Sequence, residues 1–112
     1  MDMVKIKRFD VFLVNLDPTI GSEIKKTRPA VIISPDSMNM SRLKTVIIAP
    51  MTSTIKDNLP TRIFLEFKEK KGQIALDQLR SIDRTRVIKK LGVIEREAQN
   101  KVLDLLAIIF QK

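Results

Sequence analysis

The chain between residues 17 and 35 reads DPTIGSEIKKTRPAVIISP. Its first half begins with a turn-initiating Asp-Pro pair and continues with a glycine, a serine and three charged residues, without hydrophobic periodicity, so we predict a loop. Its second half, from Pro29 to Ser34, is a continuous apolar run with β-branched residues in the middle, which indicates a buried strand. Arg28 lies at the junction, and Pro29 restricts its backbone toward extended geometry. Its place between a cationic loop and a buried strand suits a functional residue, and it would equally suit a strand-edge arginine that pairs with a nearby Asp or Glu.

The other strand predictions rest on short apolar or alternating runs that are bounded by turn residues. They place strands at 9–16, 45–49, 62–67 and 74–82. Between these strands we predict one or two helical turns within 37–43, a polar loop over 52–60 and a hairpin turn over 68–72. Several short strands at this spacing indicate a small barrel or a curled sheet.

From Ile94 the hydrophobic pattern changes to a helical period, and Glu95 and Glu97 suit a helix N-terminus. One apolar stripe of this helix is formed by Ala98, Val102, Leu105, Leu106 and Ile109. Further apolar residues lie off that stripe, namely Leu103, Ala107, Ile108 and Phe110. A helix that is apolar nearly all round is expected to be buried on more than one side. We predict a mostly β fold with a C-terminal α-helix, whose second apolar side meets another subunit in a homodimer.

Length and composition indicate a single globular domain over residues 1–112. The hydrophobic content of 44% supports a packed core. No run of 18 apolar residues occurs, and charged residues spread over positions 1–8 argue against a signal peptide. We predict cytoplasmic localisation without membrane association. The absence of cysteine agrees with that compartment and excludes disulfides and thiolate metal sites.

The formal net charge of +8 and the pI near 10.1 indicate a polyanionic partner. Nucleic acid is the usual one, although an anionic membrane surface, an acidic protein or simple solubility would also explain the charge. The absence of histidine excludes a Ser-His-Asp triad, a Cys-His pair, a histidine-ligated metal and a histidine general base. Catalytic groups, if the chain is an enzyme, come from Arg, Lys, Asp, Glu, Ser and Thr.

Two more segments carry candidate functional residues. Thr52, Ser53 and Thr54 follow a strand that ends in proline, and their hydroxyl groups suit either phosphate binding or the capping of a turn. The second segment reads LDQLRSID over residues 76–83. Its Asp77, Gln78 and Arg80 suit the recognition of base edges or phosphates, and they would equally suit a solvated strand face.

Three segments in the same order resemble the signature of the MazF/PemK toxin family. They are the entry into the buried strand at Arg28, the hydroxyl cluster at Thr52, and a strand of the form Asp-Gln-x-Arg/Lys-Ser/Thr-Ile at residues 77–82. The resemblance covers about residues 9–83 by motif and the terminal helix by pattern. It implies an SH3-like small β-barrel of the MazF/CcdB type, a homodimer, and a toxin neutralised by a cognate acidic MazE-like antitoxin.

The resemblance also implies an activity, namely ribosome-independent cleavage of single-stranded mRNA at a short sequence, without a metal or cofactor. The 2′-OH would attack, leaving a 2′,3′-cyclic phosphate or 3′-phosphate and a 5′-OH. Arg28, at the mouth of a loop-covered groove, and Thr52 would be catalytic. RNA binding would fall to Ser22, Glu23, Lys25, Lys26, Ser53, Asp77, Gln78 and Arg80.

One position distinguishes two branches of the family. In the plasmid-borne Kid branch a catalytic arginine stands two residues before the aspartate of the third segment, and this chain has Ala75 there. The chromosomal MazF arrangement is therefore the one that matches. Lys70, Lys71, Lys89 and Lys90 are interpreted as surface charge. Two alternatives stay open: a CcdB-like gyrase poison, although this chain lacks the tryptophan of the gyrase contact, and a non-catalytic RNA-binding barrel.

Overall fold

The computed structural model describes residues 5–112. The prediction drawn from the charged segment 1–8 therefore falls partly on residues 1–4, which lie outside the described residues. Within the described range the chain forms a seven-stranded sheet and two α-helices. The strands are β1 (Asp10–Asn15), β2 (Thr27–Ile32), β3 (Thr45–Thr52), β4 (Arg62–Phe67), β5 (Lys70–Ala75), β6 (Arg80–Asp83) and β7 (Val87–Val93). The helices are α1 (Asp36–Asn39) and α2 (Arg96–Ile109). The predicted mostly β fold with a C-terminal helix is confirmed.

Strand β3 is the centre of the sheet. The strand order is β4-β5-β3-β2-β1-β7, and β6 pairs with β3 outside that path. One edge of β3 pairs with β2, and the other edge is shared by β6 at Thr45–Ile48 and by β5 at Met51–Thr52. The pairing with β5 places Thr52, the last residue of β3, directly opposite Gln73.

The central strands are buried on both faces, which explains their continuous apolar sequences. Alternate residues point to opposite sides of the sheet, so neighbours such as Val31 and Ile32 belong to different hydrophobic clusters. The first cluster includes Val102 of α2 and therefore lies between the sheet and the terminal helix. The second cluster, around Phe12 and Ile48, fills the opposite face.

The prediction of one strand over 74–82 was wrong. Strand β5 ends at Ala75, a 3₁₀ turn follows at Leu76–Gln78, and β6 begins at Arg80. Since both strands pair with the same edge of β3, the chain has to leave that edge and return to it. Asp77 and Gln78 thus lie on a turn between two strands. The hairpin turn is also shorter than predicted, because Lys70 already belongs to β5.

Strand β7 was missed by the sequence analysis. It pairs with β1 along the edge of the sheet, with two irregularities in register. Its central Lys89 and Lys90 concealed the strand pattern, although charged residues are common on edge strands because they oppose further pairing. Lys90 is more than surface charge, since its Nζ lies 3.4 Å from Oδ1 of the buried Asp10.

Helix α2 presents two different sides. Val102 is fully buried against the sheet, whereas Leu103, Ile108 and Phe110 are 41%, 63% and 73% exposed. The surplus of apolar residues is therefore on the surface of the single chain, and a second subunit covering it stays a prediction. In the described part of the chain, no helix has both the length and the apolar character needed to span a membrane.

Candidate active-site groove

A groove of about 600 Å³ contains both residues that were predicted to be catalytic. Arg28 enters it from β2 and Thr52 from the end of β3, with Lys26 and Ser53 beside them. The apolar part of the lining comes from Pro29, Met51, Leu65, Phe67 and Leu91. Segments far apart in the sequence are brought together here because β2 and β3 are neighbours and the β4–β5 hairpin extends beside them.

Arg28 is half-buried and is oriented by one hydrogen bond. Its Nε donates to the carbonyl oxygen of Lys25 at 2.6 Å. Within the part of the chain that the structure describes, this is the side chain's one hydrogen bond. The N–H groups of both terminal nitrogens are therefore available to a ligand. A guanidinium group in this state suits bidentate binding of phosphate oxygens.

Thr52 is 8% exposed, and its hydroxyl has a defined orientation. Its Oγ1 accepts a hydrogen bond from the backbone N–H of Thr54 at 3.1 Å. Because a hydroxyl both accepts and donates, the proton of Thr52 is left to donate elsewhere. The residue is therefore suited to donate a hydrogen bond to an oxygen atom of a ligand in the groove.

Three lysines of the β4–β5 hairpin also line the groove, and the sequence analysis missed this role. Lys68, Lys70 and Lys71 are exposed, as expected of surface charge, and they share the groove with Arg28 and Lys26. None of the three forms an ion pair with another described residue. The groove is thus a concentration of positive charge, which attracts phosphate. The charge run was visible in the sequence, but its place beside β3 depends on the pairing of β5.

A second, smaller pocket of about 280 Å³ contains four of the eight residues that were predicted to bind RNA. Its lining consists of Glu23, Ile24, Pro50, Asp77, Gln78, Leu79 and Arg80. Pro50 stands two residues before Thr52 on β3, which corresponds to about 7 Å along an extended strand. The two pockets are therefore close neighbours, although Arg28 lines only the first. Ser22 and Lys25 are exposed in the β1–β2 loop and line neither pocket.

Three polar side chains around the smaller pocket bind backbone groups of the β1–β2 loop. Oε1 of Gln78 accepts a hydrogen bond from the N–H of Ile24 at 3.3 Å. Nη1 of Arg80 donates to the carbonyl of Leu16 at 3.1 Å. Within the loop, Oε1 of Glu23 accepts from the N–H of residue 20 at 2.7 Å. These contacts hold the loop over the pocket. The amide nitrogen of Gln78 makes no hydrogen bond to another described residue, so it is available to a ligand.

The carboxylate of Asp77 is engaged in a structural ion pair. Arg62 donates to both of its oxygens, through Nε at 2.7 Å and Nη2 at 3.1 Å, and Thr61 donates through its hydroxyl at 2.9 Å. Burial by itself raises the pKa of Asp77, but the hydrogen bonds from Arg62 and Thr61 outweigh it, and the pKa is lowered from 3.8. A carboxylate held in this way anchors the 3₁₀ turn to β4 and is a poor proton acceptor.

The described residues, 5–112, contain no group of three or more His, Cys, Asp or Glu side chains that could hold a metal ion. The expectation of an activity without metal or cofactor stays a prediction.

This curled sheet with one terminal helix and a cationic groove has clear relatives among known proteins. The model of the PemK-like, MazF-like toxins of type II toxin–antitoxin systems matches residues 7–110. The chain is also 35% identical over 108 residues to the endoribonuclease EndoA of Bacillus subtilis (strain 168), covering 92% of each protein. The chain belongs to the PemK-like, MazF-like toxin family, and the resemblance seen in the sequence is confirmed.

Solved structures agree on the fold. MazF from Deinococcus radiodurans (Form-I) matches with a TM-score of 0.83 at 22% identity, covering 98% of this chain and 100% of that one. A MazE–MazF complex (Form-II) from the same organism matches with a TM-score of 0.77 at 20% identity, covering 97% and 98%. A mycobacterial endoribonuclease in complex with its cognate antitoxin matches with a TM-score of 0.75 at 19% identity, covering 92% of both chains. The predicted MazF-type small barrel is confirmed.

Proposed function

We propose that this chain is a sequence-specific, ribosome-independent endoribonuclease, an mRNA interferase, that acts as the toxin of a toxin–antitoxin pair. The observation that carries the proposal is the shared groove of Arg28 and Thr52 in a chain related to a bacterial endoribonuclease. The groove is cationic and open to solvent along the hairpin lysines, so an extended single strand of RNA fits it better than a compact small molecule does.

The proposed reaction uses the nucleophile that RNA itself carries. The 2′-OH attacks the adjacent phosphorus, its proton passes to a general base, and the bond to the 5′-oxygen breaks. Arg28 stabilises the extra negative charge on the phosphorane-like transition state with its two free terminal nitrogens and is the group proposed to protonate the leaving oxygen. Thr52 donates a hydrogen bond to a non-bridging oxygen. The products are a 2′,3′-cyclic phosphate, or the 3′-phosphate formed from it, and a 5′-OH.

The two neighbouring pockets suggest how RNA lies on the protein. The scissile phosphate occupies the larger groove between Arg28 and Thr52, and the adjoining phosphates lie along Lys26 and Ser53. A neighbouring base enters the smaller pocket, where Gln78 and other polar side chains offer hydrogen bonds to its edge. Ser22, Glu23, Lys25, Asp77 and Arg80 complete the proposed RNA-binding set, several of them by holding the β1–β2 loop or the 3₁₀ turn.

The proposed partners follow from charge and exposed apolar surface. Relatives of this fold have been solved as MazE–MazF complexes, and a cationic groove would bind the acidic tail of a MazE-like antitoxin in place of RNA. The exposed side of α2, with Leu103, Ile108 and Phe110, is the proposed homodimer contact. Sedimentation equilibrium at micromolar concentration should give twice the chain mass, and a clean monomer would contradict the dimer. We place the protein in the cytoplasm, where its substrate is made.

One experiment separates this proposal from its two alternatives. Purified protein is incubated with a long single-stranded RNA, with a DNA strand of the same sequence as the control, in the presence and absence of EDTA. An mRNA interferase cuts the RNA at discrete positions, leaves 5′-OH ends, spares the DNA and keeps its activity in EDTA. A non-catalytic RNA-binding barrel retards the RNA without cutting it, and a CcdB-like gyrase poison does neither. Intact RNA after incubation with folded protein would overturn the proposal.

A further inference from the structure

Gln73 is a fully buried amide in the middle of β5. Both of its polar atoms bind the backbone of a single residue, because Nε2 donates to the carbonyl of Lys56 at 3.0 Å and Oε1 accepts from the N–H of Lys56 at 3.2 Å. Burying an amide is unfavourable unless it is hydrogen-bonded, and an apolar side chain would serve the interior of a sheet more simply. The amide therefore has a specific partner, the loop between β3 and β4.

This contact lies next to Thr52. Gln73 is the residue directly opposite Thr52 in the β3–β5 ladder. The segment that follows Thr52 is fixed at two points, by the bond from the N–H of Thr54 to Oγ1 of Thr52 and by the two bonds between Gln73 and Lys56. Ser53, which lines the groove, lies within this fixed segment. The N–H that binds Oγ1 of Thr52 thus lies in a turn that Gln73 contacts at Lys56.

We infer that Gln73 is a positioning residue of the cleavage site, an inference that rests on the proposed function. It holds the turn over residues 53–56 so that the N–H of Thr54 stays on Oγ1 of Thr52 and the hydroxyl proton is directed to the RNA. Gln73 touches no RNA, since its side chain is 0% exposed beneath that turn. Gln73 therefore affects the stabilisation of the transition state, in which the Thr52 hydroxyl acts. It does not affect the binding of RNA by the lysines.

Two variants break the contact from opposite sides. Gln73→Met removes both hydrogen bonds and fills the buried space with a flexible apolar side chain of similar length. Lys56→Pro removes the N–H that binds Oε1 of Gln73 and changes no residue of the sheet, so it serves if the first variant does not fold. Gln99→Met is the matched control, because it removes an amide that donates to the carbonyl of Ile94 at 2.9 Å, away from both pockets.

The first measurement is steady-state cleavage of a short RNA containing a site mapped on a long transcript. We expect both variants to lower kcat on the order of tenfold or more, with KM changed by less than about twofold, as for a group misplaced in the transition state. Gln99→Met should change neither constant. A folded Gln73→Met protein with wild-type kcat would overturn the inference, while a wild-type protein that cuts no RNA would overturn the proposed function itself.

The second measurement uses no RNA. Amide hydrogen exchange should show that Thr54 loses protection on the order of tenfold in Gln73→Met and in Lys56→Pro, and keeps it in Gln99→Met. Unchanged protection of Thr54 in both variants would show that Gln73 does not hold the turn. Loss of protection with unchanged kcat would show that the contact is structural only, which also overturns the positioning role.

Discussion

Gly72 of β5 packs directly against the backbone of Thr52. A Cβ atom at position 72 would lie 2.6 Å from the carbonyl oxygen of Thr52, and that oxygen belongs to the backbone, so it cannot move away as the end of a flexible side chain would. The absence of a side chain at residue 72 is therefore what allows β5 to pair with the last residues of β3. We expect the position of the Thr52 hydroxyl to depend on this close approach.

Gly72→Ala should displace β5 from β3 and reduce both stability and cleavage. Overpacking of this kind typically costs about 1–3 kcal/mol in the free energy of unfolding. We expect a fall in that quantity, measured by urea denaturation, together with a fall in kcat at a temperature where the variant is fully folded. Gly21→Ala is a useful comparison, because a Cβ there meets nothing within 4 Å, although its positive φ of 59° adds local strain. Wild-type kcat in Gly72→Ala would show that the close approach does not position Thr52.

The sequence revealed the strands with clear periodicity and missed those whose pattern is set by pairing. The apolar run after Pro29 was predicted correctly because both faces of β2 are buried. The break after Ala75 was missed, since it arises from two strands sharing one edge of β3, a relation between distant residues that local composition does not show.

The candidate site likewise contains residues that the sequence predicted and residues that it did not. Arg28 and Thr52 were predicted from motifs, and the structure places them in one groove. The hairpin lysines were not predicted as part of it, because their position depends on how β5 pairs with β3. Gln73 carried no signal in the sequence either, since a single glutamine between charged and apolar residues gives no hint of a buried amide bound to a distant loop.

The hairpin lysines should contribute to RNA binding through charge. Lys70→Gln and Lys71→Gln remove positive charge from the groove without touching Arg28 or Thr52, so KM should rise and kcat should stay near the wild-type value. For each phosphate that is no longer neutralised by a lysine, the slope of log KM against log salt concentration should fall by roughly 0.7 on a single strand. Lys44→Gln, at an exposed residue that lines neither the groove nor the smaller pocket, is the control with the same change in net charge. If all three substitutions raised KM equally, the effect would come from the net charge of the protein and not from the position of the lysines in the groove.

Because Asp77 and Arg62 form an ion pair, we expect the stability of the protein to depend on pH in the acid range. Because the pKa of Asp77 is lowered in the folded state from 3.8, the pair stabilises the protein fully above that value, and the stabilisation is lost as pH falls through the lower pKa of the folded protein. Asp77→Asn should therefore lower Tm at neutral pH, and the difference from wild type should shrink below about pH 4. Thermal unfolding at a series of pH values measures it, with Asp104→Asn as the control. A difference in Tm that stays constant throughout an acid titration to about pH 2 would contradict the assignment.

Substitutions at Thr52 distinguish the contribution of its hydroxyl from that of its methyl group. Thr52→Val keeps the shape of a side chain that is 8% exposed and removes the hydroxyl, so it should reduce single-turnover cleavage strongly without unfolding the protein. Thr52→Ser keeps the hydroxyl and should be mild. Circular dichroism controls for the fold. Equal rates for Thr52→Val and the wild type would show that the hydroxyl only caps the turn at Thr54.

The role of Arg28 rests on geometry as well as charge. Its Nε is bound to the carbonyl of Lys25 at 2.6 Å, which orients the guanidinium group and leaves both terminal nitrogens without a hydrogen bond to another described residue. Arg28→Ala should lower the single-turnover rate on the order of a hundredfold or more, the usual effect of losing a donor that acts on transition-state charge. Arg28→Lys keeps the charge but loses the planar fork and the Nε bond, so it should recover only a small part of that rate. Arg42→Ala, an exposed arginine that lines neither pocket, is the control. Near wild-type cleavage by Arg28→Ala would show that Arg28 only orders the loop, and would move the search for the catalytic group to Arg80 and the smaller pocket.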